Sequence, residues 1–162
     1  VVLAAFGSEV VGYDPSLHAS DGVWERWRMH PLGLRELLER SDAVCVQLSY
    51  FSRYHGLLGE RFLPHCKANQ VIVCTAHSGL FDEAALAEAL RSGRVSAAWF
   101  DSLEPGALDP GRPLEGISTL QITPRVASTT RESRLRSAWA VARRIDELIA
   151  AAPGAPRERT SN

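Results

Sequence analysis

At 162 residues, with 45% hydrophobic and 23% charged residues, the chain has the composition of one globular domain and the length to bury a core. A formal net charge of −1 supplies no electrostatic reason to expect nucleic acid or an acidic membrane surface as a partner, and neither is expected. No apolar run approaches the ~20 residues of a membrane span and no signal peptide is visible, so the expected location is the cytoplasm.

The sequence opens in helix-forming residues, Val1 to Phe6, that stop at Gly7, a residue suited to a helix C-cap. Its first residue is Val rather than Met, as in a chain cut from a longer one. Val10, Val11, Gly12 and Tyr13 form a short β-type run that ends at Asp14-Pro15. Residues 16–31 read as irregular, with Trp24 and Trp27 spaced to pack from one helical turn. Leu34, Leu37 and Leu38 recur at helical spacing and predict an amphipathic helix closed by Ser41-Asp42. Ala43 to Leu48, AVCVQL, predicts a strand buried on both faces of a parallel sheet.

Ser49 to Gly56 is a polar and aromatic loop, and LLGERFLPHC after it predicts a short helix carrying Phe62 and Leu63, weakened by Pro64. A strand VIVCT over 71–75 leads through the turn Thr75-Ala76-His77-Ser78-Gly79 into a helix from Asp82 to Arg91. Arg94 to Phe100 is the next strand and ends at Asp101. Three prolines and three glycines make Ser102 to Ser118 a loop. A last strand over Thr119 to Thr123 precedes a helix of roughly 20 residues from Thr130, with Leu135, Trp139, Ala142, Ile145 and Ile149 on one face. From Pro153 the tail PGAPRERTSN is predicted to be disordered, so the expected division is one domain over 1–152 and a tail over 153–162.

Short, Val-rich strands alternating with helices predict a doubly wound parallel α/β sheet of the Rossmann-like kind. In such sheets ligands bind outside the carboxyl ends of the strands, which makes the turn at 75–79 one wall of any reaction centre. Cys45, Cys66 and Cys74 have no metal-type spacing and are expected to be buried, reduced thiols, with no metal site. His18, His30, His55 and His65 lie in loops or helix ends without ligand spacing and read as solvated or capping residues. Arg134, Arg136, Arg143 and Arg144 read as solvating the outer face of the last helix.

Five stretches, in order and at matching spacing, resemble the nucleotide-binding domain of the D-isomer-specific 2-hydroxyacid dehydrogenases. They are AFGSEVVGYDP at 5–15, LRELLERSDAVCVQL at 34–48, HGLLGERFL at 55–63, the run from Val71 to Pro105, and LQITPRVASTTRES at 120–133. The resemblance implies a Rossmann-like domain that lacks its first strand and Gly-rich loop, and NAD as cofactor. It also implies a 2-hydroxy or 2-keto acid substrate and a homodimer formed through these domains, with Trp99 and Leu103 as contributors.

In this resemblance Asp14 stands where an acid holds the adenosine ribose 2′-OH, which favours NAD over NADP. By local sequence alone it reads equally as an Asx turn before Pro15. Thr75 and Ala76 stand where the backbone passes the nicotinamide ribose, and Asp101 where an aspartate contacts the nicotinamide amide. Three positions depart from the pattern: His77 replaces the arginine that clamps the substrate carboxylate, Arg125 replaces the proton-exchanging histidine, and the glutamate that orients this histidine aligns with Gly106, two residues after Glu104. Gln47 and Ser49 also replace residues that flank the cofactor.

Two readings follow. In one, the site is inactive, because a guanidinium does not release a proton near neutral pH, and the domain serves as a binding or dimerisation module similar to the C-terminal binding protein corepressors. In the other, arginine and histidine have exchanged places, so that Arg125 holds the carboxylate while His77, partnered by Glu104, moves the proton.

Overall fold

The structure is a computed structural model that describes residues 2–151. It comprises two compact units, Val1–Pro124 and Arg125–Asn162. The tail predicted over 153–162 and the helical start at Val1 lie outside the described residues.

In the first unit, α1 (Val2–Ala5) is followed by Gly7 at φ 77°, the left-handed conformation that ends helices. A two-residue strand β1 (Val11–Gly12) pairs in parallel with β2 (His30–Pro31), and α2 (Val23–Trp27) crosses between them. The region read as irregular therefore holds a complete, miniature βαβ unit. Trp24 is buried and donates its indole N–H to the His18 carbonyl at 2.9 Å, whereas Trp27 is exposed. Gly12 is required by this packing: a Cβ there would lie 2.8 Å from the Trp24 ring.

α3 (Leu34–Arg40) turns Leu37 and Leu38 inward and links Arg35 to Glu39 and Arg40 to Glu36 along its outer side. β3 (Ala43–Val46), β4 (Gln70–Cys74), β5 (Val95–Phe100) and β6 (Leu120–Ile122) then form an all-parallel sheet in the order β3-β4-β5-β6. α4 (Glu83–Arg91) carries the chain from β4 to β5. Asp82 caps it by accepting the Ala85 N–H at 2.8 Å, and Leu86, Ala87, Ala89 and Leu90 face the core. Phe100, Ile72, Leu38, Leu63, Leu80, Leu86 and Leu114 are fully buried, and Phe81 meets Phe100 edge to face at 5.0 Å. Gln70, the buried polar residue of this core, donates to the carbonyls of Leu38 at 2.9 Å and Ser41 at 2.6 Å, tying the end of α3 to the start of β4.

Three local expectations change. LLGERFLPHC is a set of turns with a single 3-10 turn at Leu63–His65, because Pro64 has no N–H to continue a helix. β3 is not buried on both faces: Val44 and Val46 are buried, but Ala43 and Cys45 are exposed. Cys45 is accordingly an exposed free thiol, while Cys66 and Cys74 are buried. The physical reason is that β3 has β4 on one edge and no strand on the other.

The second unit contains α5 (Val126–Thr129) and α6 (Arg131–Ala151). Thr130 separates them and its hydroxyl accepts the Ser133 N–H at 3.1 Å, a cap that restarts the helix. The predicted apolar face is present on α6, with Leu135, Trp139, Ile145 and Ile149 all exposed.

Candidate functional site

The parallel register aligns Val46, Cys74, Phe100 and Ile122 in one row across the carboxyl edge of the sheet. The ladder closes one residue further on, where Thr75 N–H donates to Val46 O at 3.3 Å, Asp101 N–H to Cys74 O at 2.9 Å, and Thr123 N–H to Phe100 O at 2.9 Å. The chain leaves the sheet at these points, so side chains from four separate segments of sequence meet along one edge. Hydrophobic patterning sets the strand ends, and the strand ends set the site.

The turn after β4 is held from within. Cys74 is fully buried, burial pushes its thiol up to about 11, and the protonated sulfur donates to the Ala76 carbonyl at 3.5 Å. The His77 Nδ1 accepts the Gly79 N–H at 3.2 Å. A Cβ on Gly79 would stand 3.0 Å from that nitrogen and 3.2 Å from the Tyr50 ring, so the approach favours glycine. Gly56 N–H donates to Gly79 O and Leu58 N–H to Leu80 O, which fastens the aromatic loop to the turn.

His77 has both ring nitrogens engaged. Because Nδ1 accepts, the neutral ring carries its proton on Nε2, which lies 3.2 Å from Glu104 Oε1. Its face stacks on Tyr50 at 4.2 Å and 18°, and the Tyr50 hydroxyl meets His55 Nδ1 at 3.2 Å. Glu104 is set in place by its own N–H, which donates to Ser78 Oγ at 3.0 Å. The contact is open to solvent, with side-chain exposures of 39% for His77 and 48% for Glu104. The Nε2–H faces Glu104 and Nδ1 is committed to the Gly79 amide, so the ring can exchange a proton at Nε2 only after Nδ1 releases that amide and carries a proton itself.

At the same edge, Asp101 accepts the Thr123 hydroxyl at 2.8 Å through Oδ1. Asp14 follows β1, and its Oδ1 accepts both the backbone N–H of Ser16 at 2.8 Å and the Ser16 hydroxyl at 2.6 Å. That is the Asx turn that local sequence offered as its alternative reading. It leaves Oδ2 of Asp14 without a hydrogen bond among the described residues, so the turn and a ligand role are compatible. Beside it, burial, reinforced by Tyr54 and by Asp14, pushes the Tyr13 phenol up.

The structure thus brings His77 and Glu104 into contact and sets Thr75, Ala76 and Asp101 along one edge. Gly106 sits in a left-handed turn at φ 81° and has no side chain to offer. Arg125 opens the second unit, exposed and left-handed at φ 54°, and its carbonyl accepts the Thr129 hydroxyl at 2.6 Å. Tyr50, Ser78 and Thr123, which orient His77, Glu104 and Asp101, carry no local signal of those roles. Tyr50 could be suspected only as an aromatic in the loop after β3.

The family model described as "D-isomer specific 2-hydroxyacid dehydrogenase, NAD binding domain" matches residues 1–127. The chain is 36% identical over 121 residues to a glyoxylate reductase of Aeropyrum pernix, covering 75% of this chain and 35% of that protein. It is 34% identical over 150 residues to a D-3-phosphoglycerate dehydrogenase of Mycobacterium tuberculosis, covering 91% of this chain and 28% of that protein. Among solved structures, the apo form of Rhodotorula graminis D-mandelate dehydrogenase superposes with a TM-score of 0.74 at 25% identity, over 89% of this chain and 41% of that one. The chain spans about a third of the length of these two curated relatives.

Proposed function

The chain belongs to the D-isomer specific 2-hydroxyacid dehydrogenase family, as its NAD-binding domain, and we propose that it binds NAD in an oxidoreductase whose proton-transfer and carboxylate-binding positions have been altered. The observation that carries the altered chemistry is the His77 ring: one nitrogen holds the Gly79 amide and the other faces Glu104.

The residues present fit a dinucleotide at its two ends. Asp14 keeps one carboxylate oxygen for a ribose hydroxyl, and a carboxylate there repels a 2′-phosphate, which favours NAD over NADP. Thr75, Ala76 and the Thr123-oriented Asp101 line the carboxyl edge where a nicotinamide and its ribose would lie. Bound NAD would supply the hydride acceptor or donor for a 2-hydroxy or 2-keto acid. The chain's own part is to orient the cofactor and to place His77 and Glu104 at the carboxyl edge of the sheet.

If turnover survives, Arg125 binds the substrate carboxylate through its planar fork and His77 exchanges the proton, Glu104 stabilising the imidazolium. Proton transfer needs a reach of about 3 Å, so the ring must leave its present contacts with Gly79 and Glu104 and turn one nitrogen to the substrate and the other, protonated, to Glu104. A second reading is supported by exposed apolar side chains near the outer strand, Leu108 and Ile122 lining one hollow at 47% and 39% exposure and Trp99, 44% exposed, on the opposite face of the sheet. In that reading the domain is an inactive homologue that acts as a binding or dimerisation module.

Fluorescence titration of the chain with NADH separates these readings from failure of both. Saturable binding supports the cofactor site, and its absence removes the NAD reading. A panel of 2-keto acids then decides activity. If turnover is found, His77→Ala is expected to abolish it, and unchanged turnover removes His77 from the chemistry.

A further inference from the structure

His77 makes contacts with Gly79, Glu104 and Tyr50, and a proton on its ring acts on them in opposite directions. The neutral ring accepts the Gly79 N–H at Nδ1, at 3.2 Å, and presents its Nε2–H to Glu104 Oε1. A further proton can enter only at Nδ1, and an imidazolium has two donors and no acceptor. The added charge strengthens the contact with Glu104 and draws the ring to the face of Tyr50, on which it stacks at 4.2 Å. The Gly79 bond alone is lost. Gly79 is buried, and a buried backbone N–H left without an acceptor is costly, so the turn has to move rather than keep its shape.

We propose that His77 is a proton-operated latch: its neutral ring holds the turn at 77–80 closed, and a proton at Nδ1 releases Gly79 and with it the aromatic loop at 50–58. The turn and the loop are joined by main-chain bonds, Gly56 N–H to Gly79 O at 2.9 Å and Leu58 N–H to Leu80 O at 2.8 Å, so displacement of Gly79 is carried to the loop. The loop follows β3 and the turn follows β4, which places both at the carboxyl edge of the sheet. The proton that opens the latch is also the one His77 needs before it can exchange a proton at Nε2. The latch itself requires neither cofactor nor substrate, so its test is independent of the proposed activity.

The surroundings single out His77 as the group that senses the proton. His55 also has a polar partner at Nδ1, the Tyr50 hydroxyl at 3.2 Å. A hydroxyl donates to a neutral ring or accepts from a charged one, so that bond survives in either state. An amide N–H only donates, and the Gly79 bond does not survive. Glu104 is kept opposite Nε2 by its own N–H, which Ser78 Oγ accepts. The acids nearby on the same edge are engaged elsewhere, Asp101 with the Thr123 hydroxyl and Asp82 with the Ala85 N–H. Arg53, the cation of the aromatic loop, lies over the rings of Phe51 and Tyr54. Burial keeps the Cys74 thiol beneath the turn protonated. Between pH 5 and 8, where histidine side chains change charge, the Gly79 amide therefore reports on His77.

Nuclear magnetic resonance of the full chain tests the latch, following the His77 ring nitrogens, the Gly79 amide and backbone hydrogen exchange from pH 8 to pH 5. Expected are a ring protonated at Nε2 alone at the alkaline end and a Gly79 amide signal that moves with the same midpoint as the ring. Protection factors at Gly79, Gly56 and Leu58 should fall about tenfold as the ring takes up its proton. The amide of Ala98, bonded to Thr119 O, is expected to keep its protection. His77→Asn supplies a side-chain carbonyl that can accept the Gly79 N–H and does not titrate, so it is expected to hold the turn closed, with Gly79 protection independent of pH. His55→Gln is expected to leave the Gly79 titration in place, and its loss there would make His55 the sensor and overturn the proposal. A ring that gains a proton while the Gly79 signal and protection stay constant overturns it, as does a ring that does not titrate in this range. A Gly79 titration that persists in His77→Asn assigns the change to another group and overturns it too. Should that variant fail to fold, the coincidence of the ring and amide midpoints in the unsubstituted chain decides.

Discussion

β3 and β4 are neighbours of nearly the same chemistry, AVCV beside QVIVC, paired residue for residue from Ala43–Val71 to Val46–Cys74. Yet β4 has no exposed residue, while Ala43 and Cys45 of β3 are exposed. The difference lies in neighbours rather than in composition: β4 is flanked by β3 and β5, and β3 has a partner on one side alone. An apolar run states what a strand is able to bury, and the strand beside it decides how much it does bury.

The sharpest way to break this comparison is to shorten one side chain on each strand. Ile72 of β4 is 1% exposed and sits in the centre of the core. Ile72→Ala is expected to cost about 2–5 kcal/mol in denaturant unfolding, the range for large-to-small changes in a packed core. Cys45→Ala on β3 is expected to stay within about 0.5 kcal/mol, as for an exposed position. A comparable cost at both would show that β3 is already covered in solution.

The thiols give the next largest effect. Burial pushes Cys74 up to about 11, and Cys66 up to about 11 against the opposing influence of Arg94. Between the ordinary thiol value of 9.0 and about 11 the unfolded chain loses these protons and the folded chain keeps them. Stability is therefore fully present below pH 9 and falls as the pH rises toward 11, by on the order of 2 kcal/mol for Cys74. Cys74→Ala should flatten that alkaline slope in a series of denaturant melts. A slope unchanged by the substitution would assign it to other groups.

Much of this was legible in the sequence, and what was not has a common cause. Strand and helix positions followed largely from apolar periodicity, with Asp82 read as the first residue of the helix that it caps. The carboxyl-edge location of Thr75, Ala76, His77 and Asp101 followed from the alternation of strands and helices. Hidden were the contacts between distant segments: Tyr50 beneath the ring of His77, Ser78 holding Glu104, and Thr123 holding Asp101. Hidden too was the exposure of Cys45, because no local pattern reports which strand lies alongside. The miniature unit of β1, α2 and β2 escaped notice because two-residue strands are too short to show a period.

Asp82 tests whether the buried character of β4 extends to the helix that follows it. Asp82→Ala removes the acceptor of the Ala85 N–H and an acidic group at the start of α4. A loss of about 1 kcal/mol is expected, within the range for such caps, with Asp82→Asn retaining most of it. If both variants lose the same amount, the helix dipole rather than the hydrogen bond accounts for the effect.

The smallest expected effect lies where β4 gives way to the solvent-facing turn. The His77–Glu104 pair spans 3.2 Å, a distance that would bind strongly in a buried site, but the two side chains are 39% and 48% exposed. At that exposure, water screens the charges and two side chains lose freedom to hold one geometry, so a double-mutant cycle of His77→Ala with Glu104→Ala should give a coupling within about 1 kcal/mol. The stacking of His77 on Tyr50 is left out of that figure, because it disappears equally in both arms that remove His77. A coupling well above about 1 kcal/mol would mean that the pair is desolvated in solution, and that a surface outside residues 2–151 closes over the turn, as a substrate-binding partner would.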